Sequence, residues 1–225
     1  MAAIALLMGL SYAGNSQAPD FWHRGGFGLW MGYQLRHTIN TKWSWNSDLQ
    51  LRAKNTGVWY DYTLVRTALH HNFNKYFSLA ASVLYGRNNL GGKSLPNWEN
   101  EYRLGQEARY VLPWKKKLET GFQARLEERW FDNAITDSTS NWLFATRLRL
   151  RCDMRKELGK SWRLLAGDEL MYQRVEGDTR FNQNRVWAGA GYALTKKFEL
   201  QLLLMQLIVD TKDQTILRIN LVQQF

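Results

Sequence analysis

From residue 42 to the carboxyl end, apolar and polar side chains alternate one by one along unusually long runs. In 42–53, Trp43, Trp45, Leu49, Leu51 and Ala53 fall on one face, and Lys42, Ser44, Asn46, Asp48, Gln50 and Arg52 on the other. In 101–112, Tyr102, Leu104, Ala108, Tyr110 and Leu112 alternate with Glu101, Arg103, Glu107 and Arg109. In 118–130, Leu118, Thr120, Phe122, Ala124, Leu126 and Trp130 alternate with Glu119, Gln123, Arg125, Glu127 and Arg129. In 142–155, Trp142, Phe144, Leu148, Leu150, Cys152 and Met154 alternate with Arg147, Arg149, Arg151, Asp153 and Arg155. Successive side chains rotate by about 180° in a strand but only about 100° in a helix, so this is strand spacing.

The pattern predicts strands at 27–38, 42–54, 60–73, 76–87, 98–113, 117–131, 141–157, 161–175, 182–194, 198–210 and 214–225. Strands of soluble proteins usually run about five to six residues. These are roughly twice that, and about 9–11 residues suffice for a tilted strand to cross a bilayer. Tight turns are expected near Asn40-Thr41, Asn74-Lys75, Lys115-Lys116, Gly159-Lys160 and Thr195-Lys196. Longer connections are expected at 55–59, 88–97, 132–140, 176–181 and 211–213. Short turns at one end and long loops at the other are the habit of outer-membrane barrels. The expected fold is therefore an all-β, transmembrane, antiparallel up-and-down β-barrel.

Composition narrows the alternatives. Of 225 residues, 45% are hydrophobic, too many for a disordered chain. A mean hydropathy of −0.45 excludes several apolar helical spans. One cysteine excludes a disulfide framework and a cysteine-rich zinc site. The four histidines lack metal-ligand spacings, so neither metal nor cofactor is expected. The net charge of +10 raises nucleic acid or anionic lipid as a partner. The basic residues are interleaved with carboxylates rather than gathered on one exposed face, which excludes nucleic acid.

Residues 1–18, MAAIALLMGLSYAGNSQA, read as a secretory leader with cleavage near Ala13 or Ala18, leaving 19–225 as the barrel. The segment is too short to span a bilayer as a helix and carries no Lys or Arg before its apolar stretch. At the other end, Leu217, Ile219, Leu221 and Phe225 form the alternating terminal pattern read by the barrel-assembly machinery, with Gln223 as a departure. Trp43, Trp45, Phe77, Trp114, Trp130, Trp142, Trp162, Tyr192 and Phe198 lie near the strand ends, where rings with an apolar body and a polar atom settle at the lipid headgroups. Outer-membrane lipids are thus the expected surroundings, and the bacterial outer membrane the expected location.

The parity of the strands is awkward. With tight turns in the periplasm, counting back from the last strand makes 42–54 the first of ten. The run 27–38 then starts on the wrong side. Single-chain bacterial barrels use even strand numbers. Twelve strands, with 17–25 as an extra one, is preferred over ten.

The polar face predicts the lumen: Arg103, Glu107, Arg109, Glu119, Arg125, Glu127, Arg129, Arg147, Arg149, Arg151, Asp153, Arg163, Glu169, Arg185 and Arg218. Two readings follow. One is a salt-bridged polar plug that fills and rigidifies a narrow barrel. The other is a narrow anion-favouring passage with Arg147, Arg149 and Arg151 as its constriction. Their mutual repulsion calls for carboxylate neighbours, with Glu119 and Glu127 as the candidates.

Other functions find less support. A lipid-modifying hydrolase needs a His beside a Ser near the outer boundary. His23, His37, His70 and His71 have no such partner, so no enzyme is expected. An adhesion or assembly component would bind a protein partner through the loops at 88–97 and 132–140. Asp168 and Glu128, on the apolar face of their strands, are read as a bulge or an exposed boundary rather than a subunit contact.

The segments EYRLGQEARYVL, FQARLEERWF, WLFATRLRLRCDM, DELMYQ and FNQNRVWAGAGYAL, with the terminal Phe, resemble a bacterial outer-membrane family, domain of unknown function 2490. The resemblance covers about 27–225, with Phe181-Asn182-Gln183-Asn184-Arg185 its most characteristic piece. It implies a barrel in the outer membrane of a Gram-negative bacterium, and implies no activity, cofactor or catalytic residue.

Overall fold

The computed structural model describes residues 26–54, 59–90, 97–114, 117–133, 141–209 and 213–225. The expected leader, the extra strand at 17–25 and the turn at Lys115-Lys116 lie outside these residues, as does most of the loops at 55–59, 88–97, 132–140 and 211–213. The described strands are β1 (Phe27–Thr38), β2 (Trp43–Lys54), β3 (Trp59–Asn72), β4 (Phe77–Asn89), β5 (Trp98–Trp114), β6 (Leu118–Asn133), β7 (Asn141–Leu158), β8 (Trp162–Val175), β9 (Asp178–Ala193), β10 (Phe198–Ile208) and β11 (Gln214–Gln224). Each pairs with its sequence neighbours, and β1 meets β11 to close a barrel.

Closure corrects the expected strand count. The described barrel has eleven strands, neither twelve nor ten. An odd number of up-and-down strands leaves the first and last running the same way, so their ladder must be parallel. β1 and β11 do pair in parallel, from Phe27 opposite Thr215 to Arg36 opposite Gln224. The run 27–38 thus needs no extra strand to enter the sheet. Beyond the ladder, the Phe225 amide donates to the Arg36 carbonyl (2.9 Å) and the Thr215 amide to the Gly26 carbonyl (3.2 Å).

Three tight turns at one end share a device. The Asn40 side-chain oxygen accepts from the amides of Lys42 and Trp43, both at 2.9 Å. Asn74 does the same for Tyr76 and Phe77 (2.8 and 2.9 Å). The Thr195 hydroxyl accepts from Lys197 and Phe198, both at 3.1 Å. A short polar side chain thereby satisfies the amides that the hairpin leaves outside the ladder.

The connection expected to be long at 176–181 is instead two residues. Glu176 (φ 50°) and Gly177 (φ 95°) both take positive φ, and β9 starts at Asp178. Paired positive φ values match the right-handed twist of the flanking strands. The alternation was hidden because the register shifts at Met171/Tyr172, which leaves Asn182 as an extra residue in β9.

No register shift occurs at Asp168 or Glu128, which overturns their reading as bulges. Asp168 sits mid-strand on the outer face between Cys152 and Val186. Glu128 lies likewise between Leu104 and Thr146.

Outward-facing residues are the large exposed apolar ones, among them Met31, Leu49, Val65, Val83, Leu104, Leu126, Leu148 and Leu204. Most of the buried set is inside the barrel and has two characters. Arginines and carboxylates fill one side, and a cluster of Trp30, Trp187, Leu203, Met205, Leu207 and Ile216 lines the other. A large ring fits the narrow interior only where its neighbour is small: a Cβ on Gly167 would stand 2.3 Å from Cζ2 of Trp187.

Candidate functional site

Alternation along β5, β6, β7 and β8 places acid and base directly opposite one another on the inner face. Glu107 faces Arg125, Glu127 faces Arg147, and Arg151 faces Glu169. Buried charges persist only when paired and hydrogen-bonded, and here each carboxylate serves several guanidiniums. Glu127 accepts from Arg147 Nε (2.8 Å) and Nη2 (2.5 Å) and from Arg149 Nη1 (2.8 Å). Arg125 (3.5 Å) and Arg103 (3.8 Å) complete its surround. Arg149 turns its other edge to Glu169, at 3.0 and 2.7 Å.

The lattice continues in both directions. Glu107 accepts from Arg125 (2.7 Å) and also from Arg66 and Gln123. Arg66 reaches on to Asp48 at 3.0 Å. Toward the long-loop rim, Glu101 takes a two-pronged contact from Arg103 (2.5 Å on each oxygen) and one from Arg129 (2.6 Å). The Tyr62 hydroxyl accepts from Arg103 at 2.9 Å. Toward the tight-turn rim, Arg109 grips Asp153 with two bonds (3.0 and 2.9 Å), and Arg163 and Arg155 turn to Glu199.

The predicted lumen residues lie on this inner face. The three-arginine ladder is not a bare constriction, because Arg147 and Arg149 are neutralised by Glu127 and Glu169, and Arg151 by Asp153 (3.1 Å). Glu119 does not serve it: that residue is exposed at the tight-turn end, opposite Arg155. Glu169 takes its place. Arg218 donates to Asn220 (3.1 Å), and Arg185 stands 3.6 Å from Glu169.

Sequence reasoning left out Asp48, Arg52, Arg66, Glu101 and Glu199. Asp48, Arg52 and Glu101 had the right signal, since they alternate with the same apolar residues as their neighbours. Arg66 and Glu199 lie on strands whose inner face mixes charge with leucine.

The predicted aromatics all face outward. They meet other rings at both ends of the barrel: Trp43 with His71 (4.6 Å), Trp162 with Tyr192 (4.8 Å) and Trp130 with Phe144 (5.4 Å). Leu217, Ile219, Leu221 and Phe225 also alternate outward on the last strand. The departure at Gln223 is accommodated by a hydrogen bond from the Tyr33 hydroxyl across the parallel seam. Of the histidines, His70 faces inward against Asn46 (2.9 Å), His71 lies among outer aromatics, and His37 packs near Phe225; His23 is outside the described residues. Among the described residues no group of His, Cys, Asp and Glu is arranged to hold a metal ion.

A cavity of about 920 Å³ runs from Asp48, Arg66 and Arg125 at mid-lumen to Leu90, Asn97 and Asp178 at the long-loop rim. Arg109, Asp153, Arg155, Arg163 and Glu199 of the tight-turn end do not line it. The cavity therefore occupies the long-loop half of the interior, with the ion pairs of the tight-turn end beyond it. Eleven arginines and six carboxylates line its wall.

The family described as Protein of unknown function (DUF2490) matches residues 27–217, which is the barrel from its first strand into its last. The chain belongs to this family. The DUF2490 match covers the ion-pair lattice and all of β1, and ends three residues into the β11 side of the parallel ladder. No curated protein matches the chain.

Proposed function

We propose that this DUF2490 chain is an outer-membrane β-barrel whose lumen is closed at mid-height by its own ion-pair lattice, so that it serves as a rigid wall element presenting a cup on the long-loop side. The observation that carries this reading is the sharing of Glu127 among Arg147, Arg149, Arg125 and Arg103, with its side chain only 3% exposed. A carboxylate enclosed this completely leaves little room for a continuous water path beside it. The membrane assignment is supported by strands of 11 to 18 residues, by the outward apolar band and by aromatic pairs at both ends. Outer-membrane lipids would contact that band, and the outward Leu217, Ile219, Leu221 and Phe225 would be read by the barrel-assembly machinery. Planar-bilayer recording on refolded protein tests the reading: no sustained conductance steps are expected, and steady steps would overturn it.

A second reading is a narrow anion-favouring passage. The excess of arginine over carboxylate on the cavity wall favours it. In that case the recording shows anion-selective steps, and Arg149→Ala lowers the selectivity.

A further inference from the structure

Most of the arginines that line the cavity have a carboxylate within about 3 Å; three do not. Among the ion pairs of the described residues, Arg52 and Arg218 have none, and Arg185 has only Glu169 at 3.6 Å. These three converge on one ring. The Arg52 guanidinium lies 3.9 Å and that of Arg185 5.1 Å from the centre of Trp30, and Arg218 is the residue opposite Trp30 on β11. Stacking on an indole holds a guanidinium by its flat face and leaves its N–H edge available. That edge is underused: Nε of Arg52 and of Arg185 are both buried without a hydrogen-bond partner. Buried donors left unmade are costly, and like charges gathered in a low-dielectric space repel. An anion relieves both.

The same ring belongs to the apolar wall. Trp30 packs with Trp187 and Met205, which line the same cavity, and with Ile216. A wall of this kind gives nothing to a bare inorganic ion. It suits a hydrocarbon or aromatic body attached to the charged head, and about 920 Å³ lies within the size range of cavities that enclose small organic ligands.

We propose that the cup binds an amphipathic anion of the fatty-acid class, with its head on Arg52, Arg185 and Arg218 and its apolar body along Trp30, Trp187 and Met205. The inference goes beyond the closed-barrel reading and is independent of conduction, because an open and a closed lumen present the same wall.

The test is calorimetric titration of the refolded barrel in lipid nanodiscs, with protein-free nanodiscs as the blank. Octanoate, octyl phosphate, acetate and octyltrimethylammonium are compared. Saturable binding of octanoate is expected, with acetate weaker by about tenfold or more and the cation silent. Equal binding of octanoate and octyltrimethylammonium overturns the charge assignment. Equal binding of octanoate and acetate overturns the apolar wall. Octyl phosphate distinguishes a free acid from a phosphorylated lipid head: tighter binding of the phosphate assigns the cup to the latter source within the same chemistry. Arg52→Gln with Arg218→Gln should weaken octanoate by about tenfold or more, given two charge-assisted bonds lost. An unchanged affinity in a folded double variant refutes the proposal. Should that variant fail to fold, wild-type affinity along butyrate, hexanoate and octanoate decides, since a flat series refutes it as well. Absence of conductance would leave all these outcomes unaffected.

Discussion

Arg147 and Glu127 stand directly opposite each other on β7 and β6, and Arg147 gives both its Nε and its Nη2 hydrogen to one oxygen, Oε2, at 2.8 and 2.5 Å. The other oxygen is left for Arg149 at 2.8 Å. One carboxylate thus orients two arginines that would otherwise repel. Glu127→Gln removes the charge while keeping the shape; Arg147 loses its carboxylate, and Arg149, Arg125 and Arg103 keep only Glu169, Glu107 and Glu101. Breaking a buried pair from one side costs about 3–5 kcal/mol. Urea unfolding of the variant in phospholipid bilayers should show a loss of that order, and a loss below about 1 kcal/mol would mean that water already screens the lattice.

Gly167 leaves no room for a side chain against Trp187. A Cβ on Gly167 would lie 2.3 Å from Cζ2 and 2.7 Å from Cε2 of that ring, against a backbone carbonyl at 2.9 Å. Gly167→Ala should destabilise the barrel by about 1–3 kcal/mol, as overpacked cores do. Pairing it with Trp187→Leu should recover most of the loss, and non-recovery would place the strain elsewhere.

Asp168 faces outward between Cys152 and Val186, and its Oδ1 is buried without a partner. If this face lies against acyl chains, the carboxylate is a standing cost, smaller than the roughly 2–4 kcal/mol of a mid-bilayer Arg or Lys. Asp168→Leu should then raise stability in bilayers by about 1 kcal/mol. A loss of stability, or a change of oligomeric state on native gels, would instead assign this carboxylate to a contact between proteins.

Gly177 takes a φ of 95° at the end of a two-residue hairpin. An L side chain is strained there, so Gly177→Ala should cost about 1 kcal/mol or more. Glu176→Asn, at a φ of 50°, should be neutral or stabilising, because Asn accepts this conformation more readily than Glu. Thermal or urea unfolding of the two variants separates these effects.

Period-two spacing carried most of the architecture. It was sharpest in β5, β6 and β7, where Arg or Glu alternates with Leu, Tyr or Phe and only one face can be apolar. It blurred in β10, where Leu200, Leu202 and Leu204 face outward while Leu203, Met205 and Leu207 face in. A strand apolar on both faces has no readable orientation, so the inner hydrophobic wall was not anticipated. The extra residue at Asn182 likewise put β9 out of phase and made its first residues look like loop. The strand count was missed for another reason. Pattern marks where strands are, whereas the pairing of the first with the last is a long-range match between 27–36 and 215–224 that leaves no local trace.

The parallel seam has a consequence for engineering. Gly26 and Phe225 sit at opposite rims, because β1 and β11 run the same way. A short peptide could not join Gly26 to Phe225 without climbing the full height of the cylinder. Circular permutation, a mild operation on a barrel whose end strands finish at one rim, would here demand a tether laid along the outside of the wall. By the same token, reporter tags fused just before Gly26 and just after Phe225 would label the two rims separately, and so would read out the orientation of the inserted molecule.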